Sequence, residues 1–81
     1  MLGVDSEKIP IAFGKVLRRY RIAAGLSQEQ LASEAEVQRN FISLIELGRN
    51  QPTISTVFKL SHALGLSAQT LIGDTESELG L

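Results

Sequence analysis

The residues predict an all-α fold, a compact bundle of five short helices, and three observations carry that expectation. Apolar residues recur at helical spacing through most of the chain. No segment sustains the alternation of a half-buried strand, and single glycines close the helical stretches. With 81 residues, 43% of them hydrophobic, the chain allows one domain with a modest core.

The first ten residues lack strong periodicity and read as a flexible arm, residues 1–10, ended by Pro10. A first helix is expected over Ile11 to Ala24, where Phe13, Leu17, Tyr20 and Ala24 form one inward stripe. Lys15, Arg18 and Arg19 fall mostly off that stripe. Gly25 ends this helix, because a left-handed residue past a helix end costs glycine little. The second helix opens at Ser27, with Gln30 three residues on to complete a capping box, and turns Leu31, Ala32 and Ala35 inward. Only Glu36 and Val37 separate it from the third, Arg39 to Leu47, so the two must meet at a tight corner. Ile42 and Ile45 face inward there, and Gly48 closes the helix. Past Pro52, Thr53 or Ser55 caps a fourth helix with Val57, Leu60, Ser61 and Leu64 inside, closed by Gly65. Ser67 caps a short fifth containing Leu71 and Ile72. The domain is thus expected over residues 11–72, with Gly73 starting an acidic tail over residues 73–81.

Composition excludes several functions. There is no cysteine, hence no disulfide, cysteine-ligated zinc or thiol nucleophile. Apolar runs are too short for a membrane span, and the start is neither basic nor followed by a long apolar stretch, so a soluble cytoplasmic protein is expected. His62, near the inner stripe of the fourth helix, has no metal cluster or nucleophile around it and reads as a helix-face or core-edge residue; no catalytic residue, cofactor or metal is expected. The glycines sit singly and build no phosphate loop. The net charge is −1, but its distribution is polarised. Lys8, Lys15, Arg18, Arg19 and Arg21 lie in a window without acidic residues, while Asp74, Glu76 and Glu78 crowd the end. Alone, such a cluster reads as a solvated helix face.

The run Gly25-Leu26-Ser27-Gln28-Glu29-Gln30-Leu31-Ala32, followed by Val37, Ile42, Ile45, Glu46, Gly48 and Pro52 and then Ala63-Leu64-Gly65-Leu66-Ser67, resembles the lambda-repressor/Cro-like helix-turn-helix family, the XRE-type transcriptional regulators. The resemblance spans residues 11 to 72. It implies a DNA-binding domain whose helix-turn-helix is formed by the second and third helices, with the first residues of the third reading bases in the major groove. Those roles map to Gln38, Arg39, Asn40 and Ser43, with Leu44 placed one turn on for a thymine methyl. Arginine and asparagine suit bidentate contact with guanine and adenine edges. Phosphate contacts are expected from Ser27 and Gln28 at a helix start, where the family places a glutamine, and from Arg49, Asn50 and Thr53. Arg18 and Arg19 are weaker candidates. Arg21 and Glu46 match a pair that the family uses as a structural ion pair between the first and third helices.

Two positions depart from the family pattern. Glu36 stands where the turn usually has glycine, and Gln38 replaces the usual Ser or Thr cap. Phe41, Leu44 and Leu47 form a second apolar line that either packs against the arm and loops, meets thymine methyls, or meets a partner protein.

The expected function is therefore sequence-specific binding of double-stranded DNA by a regulator of transcription, most simply a repressor. The alternative is a protein-interaction or antitoxin-type adaptor on the same fold. The expected partner is a two-fold operator bound by a homodimer, with the dimer contact near the fifth helix among Leu66, Leu71, Ile72, Leu79 and Leu81. Neither a membrane nor a small-molecule ligand is expected. Within the family, the short chain and the Arg39-Asn40-Phe41-Ile42-Ser43 run look like restriction–modification controller proteins and small phage repressors.

Overall fold

A helix can end cheaply wherever a residue accepts the left-handed backbone, and three of the expected glycines do so. Gly25, Gly48 and Gly65 have φ of 72°, 75° and 71°. The amide after each returns to a carbonyl five residues back: Leu26 to Arg21 at 3.1 Å, Arg49 to Leu44 at 2.9 Å and Leu66 to Ser61 at 2.8 Å. The computed structural model describes residues 3–81; residues 1 and 2 of the expected arm lie outside the described residues. Five helices result: α1 (Ile9–Ala23), α2 (Gln28–Ala35), α3 (Arg39–Glu46), α4 (Ile54–Ala63) and α5 (Ala68–Glu78). Among the described residues there is no strand.

Both ends extend the expected helices. Pro10 lies in the first turn of α1, where a missing N–H is no loss, so the proline starts the helix instead of ending an arm. At the other end α5 runs through Gly73 to Glu78, and Gly80, with φ of 77°, closes it; Leu81 donates to the Glu76 carbonyl at 3.0 Å. A glycine inside a helix costs only about 1 kcal/mol relative to alanine. That is too little to stop a helix whose next turn buries Thr75. The segment expected as an acidic tail is therefore largely the second half of α5.

Hydroxyl caps define three helix starts. Ser27 and Gln30 form a reciprocal capping box, Gln30 N donating to Ser27 Oγ at 3.0 Å and Ser27 N to Gln30 Oε1 at 2.8 Å. Thr53 caps α4 and Ser67 caps α5. Gln38 offers α3 no side-chain cap.

The core gathers one face from each helix: Phe13, Val16 and Leu17 from α1, Leu31, Ala32 and Ala35 from α2, Ile42 and Ile45 from α3, Val57 and Leu60 from α4, and Leu71 from α5. Of the stripe expected on α1, Tyr20 is half-buried and Ala24, already past the helix, is exposed; Val16 takes part instead. α1 packs on both α3 and α5, and α2 on both α3 and α4. At Gly14 the backbone of α1 comes close to that of α3. A Cβ there would lie 2.2 Å from the Ile45 carbonyl oxygen and 3.0 Å from that of Glu46. Two side-chain contacts bind α5 to α1. The Tyr20 hydroxyl donates to Asp74, and Arg19 meets Glu78 at 3.0 Å.

Candidate nucleic-acid interface

The corner between α2 and α3 is made by Glu36 in the left-handed region, φ 57° and ψ 44°. A non-glycine residue there carries about 1 kcal/mol or more of strain. Val37 follows, half-buried against the core, its amide bonded to the Ala32 carbonyl at 2.9 Å. α3 leaves this corner with Ile42 and Ile45 fully buried, which fixes which side faces outward.

That outer side begins with Gln38, Arg39 and Asn40, all exposed. Ser43 and Leu44 continue it half-buried, each one helical turn beyond Arg39 and Asn40. The three residues of the second apolar line separate. Phe41 is half-buried against the core, Leu44 is half-buried on the outer side, and Leu47 is 63% exposed.

Behind α3 lies a network of charged hydrogen bonds. Glu46 accepts from Arg21 Nε at 2.6 Å and from the Arg21 terminal nitrogen Nη2 at 2.9 Å, a bidentate pair. Arg21 Nη1 donates to the Leu26 carbonyl at 2.9 Å, and Gln28 Nε2 donates to Glu46 Oε1 at 3.1 Å. The Glu46 side chain is only 4% exposed and that of Arg21 12%. The hydrogen bond to Glu46 raises the Arg21 pKa further, so the guanidinium stays charged. α1, α2 and α3 are thus tied at one point.

The expected phosphate contacts are spread over two places. At the start of α2, Ser27 accepts its cap bond but keeps its own hydroxyl hydrogen to donate, and Gln28 gives one amide hydrogen to Glu46 and keeps the other. The amides of Gln28 and Glu29 are ones the helix itself leaves unused. In the loop after α3, Arg49 is exposed and Asn50 half-buried, with both backbone amides returned to the Leu44 carbonyl. The Thr53 hydroxyl is engaged in the α4 cap, accepting from Thr56 N at 3.2 Å and lying 3.1 Å from Thr56 Oγ1.

Sequence reasoning missed Gly14, although a lone glycine within a helical pattern is a sign of close approach. It also missed the Tyr20–Asp74 and Arg19–Glu78 contacts, whose partners stand 54 and 59 residues apart. His62 is exposed on α4, and among the described residues no group of His, Cys, Asp and Glu could hold a metal ion. No helix among them is long and apolar enough to cross a membrane.

Residues 17–71 match the family described as Helix-turn-helix. The control protein C.BamHI of Bacillus amyloliquefaciens is 34% identical over 71 residues, which cover 86% of this chain and 88% of that one. The restriction–modification controller protein C.AhdI of Aeromonas hydrophila is 34% identical with a TM-score of 0.75, covering 76% of this chain and 94% of its own. The clp gene regulator ClgR of Corynebacterium glutamicum superposes with a TM-score of 0.84 at 25% identity, over 89% of this chain and 77% of that one.

Proposed function

This chain belongs to the helix-turn-helix family, and we propose that it is a sequence-specific DNA-binding regulator of transcription that reads the major groove with α3. One observation carries the reading. Gln38, Arg39 and Asn40 stand exposed on the outer side of a helix whose inner side is locked by Ile42 and Ile45. A helix fixed on one side and polar on the other is what groove entry requires. Arg39 and Asn40 supply bidentate donors for base edges, with Gln38, Ser43 and Leu44 beside them. Ser27 and Gln28 at the start of α2, with Arg49, Asn50 and Thr53 between α3 and α4, supply the phosphate contacts that set register. The pair Arg21–Glu46 is structural: it holds α3 and neutralises a carboxylate that would otherwise repel phosphate. Repression is the simplest outcome of such binding, because a protein seated over a promoter occludes it. The relatives above carry the names of regulators and controllers, and the reading assigns this chain no catalytic step.

A two-fold operator calls for a dimer, and the apolar surface favours one on the α4–α5 side. Leu71 is fully buried in the core and unavailable for that contact. Ile72 remains 40% exposed, and Ile54 and Phe58, one turn apart on α4, are 68% and 61% exposed. Ile54 and Ile72 line one apolar depression of about 240 Å³ with Ile9, Pro52 and Val57. The homodimer contact thus includes α4 as well as the fifth helix. Sedimentation equilibrium showing only monomer at high micromolar concentration would exclude it.

Selection from a random DNA pool at two salt concentrations tests the function. A consensus should emerge, Arg39→Ala should lose about 1–3 kcal/mol on it and relax one base position, and Arg49→Ala should weaken all sequences alike. If no sequence is enriched and neither variant changes retention, while a defined protein co-purifies, the chain is an adaptor.

A further inference from the structure

α1 carries two adjacent arginines, and the fold sends them to different places. Arg19 turns towards α5 and is paired with Glu78 at 3.0 Å. Arg18, exposed, makes no ion pair among the described residues and lines a concavity of about 170 Å³ at the seam of α1, α2 and α3. The other walls are Arg21, Gln28, Ser43, Glu46 and Leu47. We propose that this concavity seats one phosphate of the DNA backbone and that Arg18 is its principal ligand, a contact from α1 that completes the interface.

The proposal rests on the DNA-binding reading and adds a site to it. Ser43 follows Arg39 by one turn and Leu47 follows Ser43 by another, so the concavity continues the base-reading side of α3. A helix lying in a major groove about 12 Å wide runs beside rows of phosphates. The charges in the concavity are Arg18, Arg21 and Glu46, which sum to one positive charge. Arg21 and Glu46 already satisfy each other through two hydrogen bonds, so Arg18 is the cation left over. The Gln28 amide is held in place by Glu46 and keeps one hydrogen to donate. The aliphatic Leu47 at the rim suits a deoxyribose. The Arg18 guanidinium on α1 and the Gln28 amide on α2 both border the concavity, and the guanidinium fork matches a tetrahedral anion bidentately.

The test compares Arg18→Ala with Arg19→Ala, two changes of equal charge at neighbouring positions. Binding of a random-sequence duplex is measured across a salt series. Arg18→Ala should lower the slope of log affinity against log salt by about 0.9, the value for one lost phosphate contact. It should weaken binding about tenfold at low salt, as for a charge-assisted hydrogen bond. Arg18→Lys should retain the slope, and Arg19→Ala should leave it as in wild type. On a duplex selected from the random pool, neutral methylphosphonates are then placed one phosphate at a time. One position should weaken wild type and leave Arg18→Ala unaffected. If Arg18→Ala and Arg19→Ala behave alike while Arg49→Ala still lowers the slope, Arg18 holds no phosphate and the proposal falls with the DNA-binding reading intact. A wild-type chain that retains no duplex at any salt overturns both.

Discussion

Replacing Arg21 with methionine removes a guanidinium but leaves the Glu46 carboxylate in place, 4% exposed and held only by the Gln28 amide. A carboxylate stranded in that way costs about 3–5 kcal/mol. Domains are stable by roughly 0.05–0.15 kcal/mol per residue, which over 81 residues amounts to about 4–12 kcal/mol. The single substitution therefore removes between about a quarter of the stability and all of it. Urea titration followed by far-ultraviolet circular dichroism measures this directly. With a urea slope of about 1 kcal/mol per molar for a small domain, the midpoint should fall by about 3 M or more, or the variant should be unfolded before urea is added. The double variant Arg21→Met/Glu46→Met has no stranded charge and similar side-chain bulk, so it should regain most of the loss. A cost for Arg21→Met below about 1 kcal/mol, as exposed pairs give, would refute the argument. So would a double variant no more stable than the single one.

Four further outcomes are expected. Gly14→Ala should destabilise by about 1–3 kcal/mol in urea, because its Cβ meets the Ile45 carbonyl at 2.2 Å. Gly73→Ala, with open space around its Cβ, should instead stabilise by about 0.5–1 kcal/mol. Glu36→Gly relieves a left-handed residue and should raise thermal stability by up to about 1 kcal/mol; a loss would show that the corner is not strained. Tyr20 is the single tyrosine of the chain, so its phenolate absorbance titrates alone. The hydrogen bond to Asp74, aided by partial burial and by the Asp74 charge, raises its pKa above the ordinary phenol value. A raised folded pKa means that the Tyr20 contribution to stability is complete below the unfolded phenol pKa and disappears as pH rises through the folded one. Wild type should lose thermal stability on that alkaline limb and Tyr20→Phe should lose less. Identical limbs would exclude the bond as the cause.

Much of this was legible because helix ends are written locally. Ser27 with Gln30, and Gly25, Gly48 and Gly65, state where helices begin and stop without reference to the rest of the chain. The exposed start of α3 follows from Ile42 and Ile45, whose spacing sets its orientation. Gly73 misled because the choice between a helix interior and a helix end is made by tertiary packing. Thr75 buries against the body of the domain and carries the helix past that glycine to Gly80. The Arg19–Glu78 and Tyr20–Asp74 contacts join the two ends of the chain, a distance over which periodicity carries no information. The separate fates of Arg18 and Arg19 were invisible for the same reason, since both lie off the buried stripe and only the position of α5 distinguishes them.

The absence of a side chain at Gly14 lets the backbone of α1 rest against the carbonyls of Ile45 and Glu46, and Arg21 fastens the same turn from the side. Backbone against backbone leaves no rotamer to adjust, so α3 cannot tilt or slide to improve a poor fit. In an encounter with a duplex the protein behaves as a rigid template, with its ordering cost already met during folding. Any mismatch in curvature or groove width must then be absorbed by the nucleic acid. Base steps that α3 never touches would influence affinity through how easily they bend, so flexible pyrimidine–purine steps should bind better than stiff runs in the uncontacted stretches of a site.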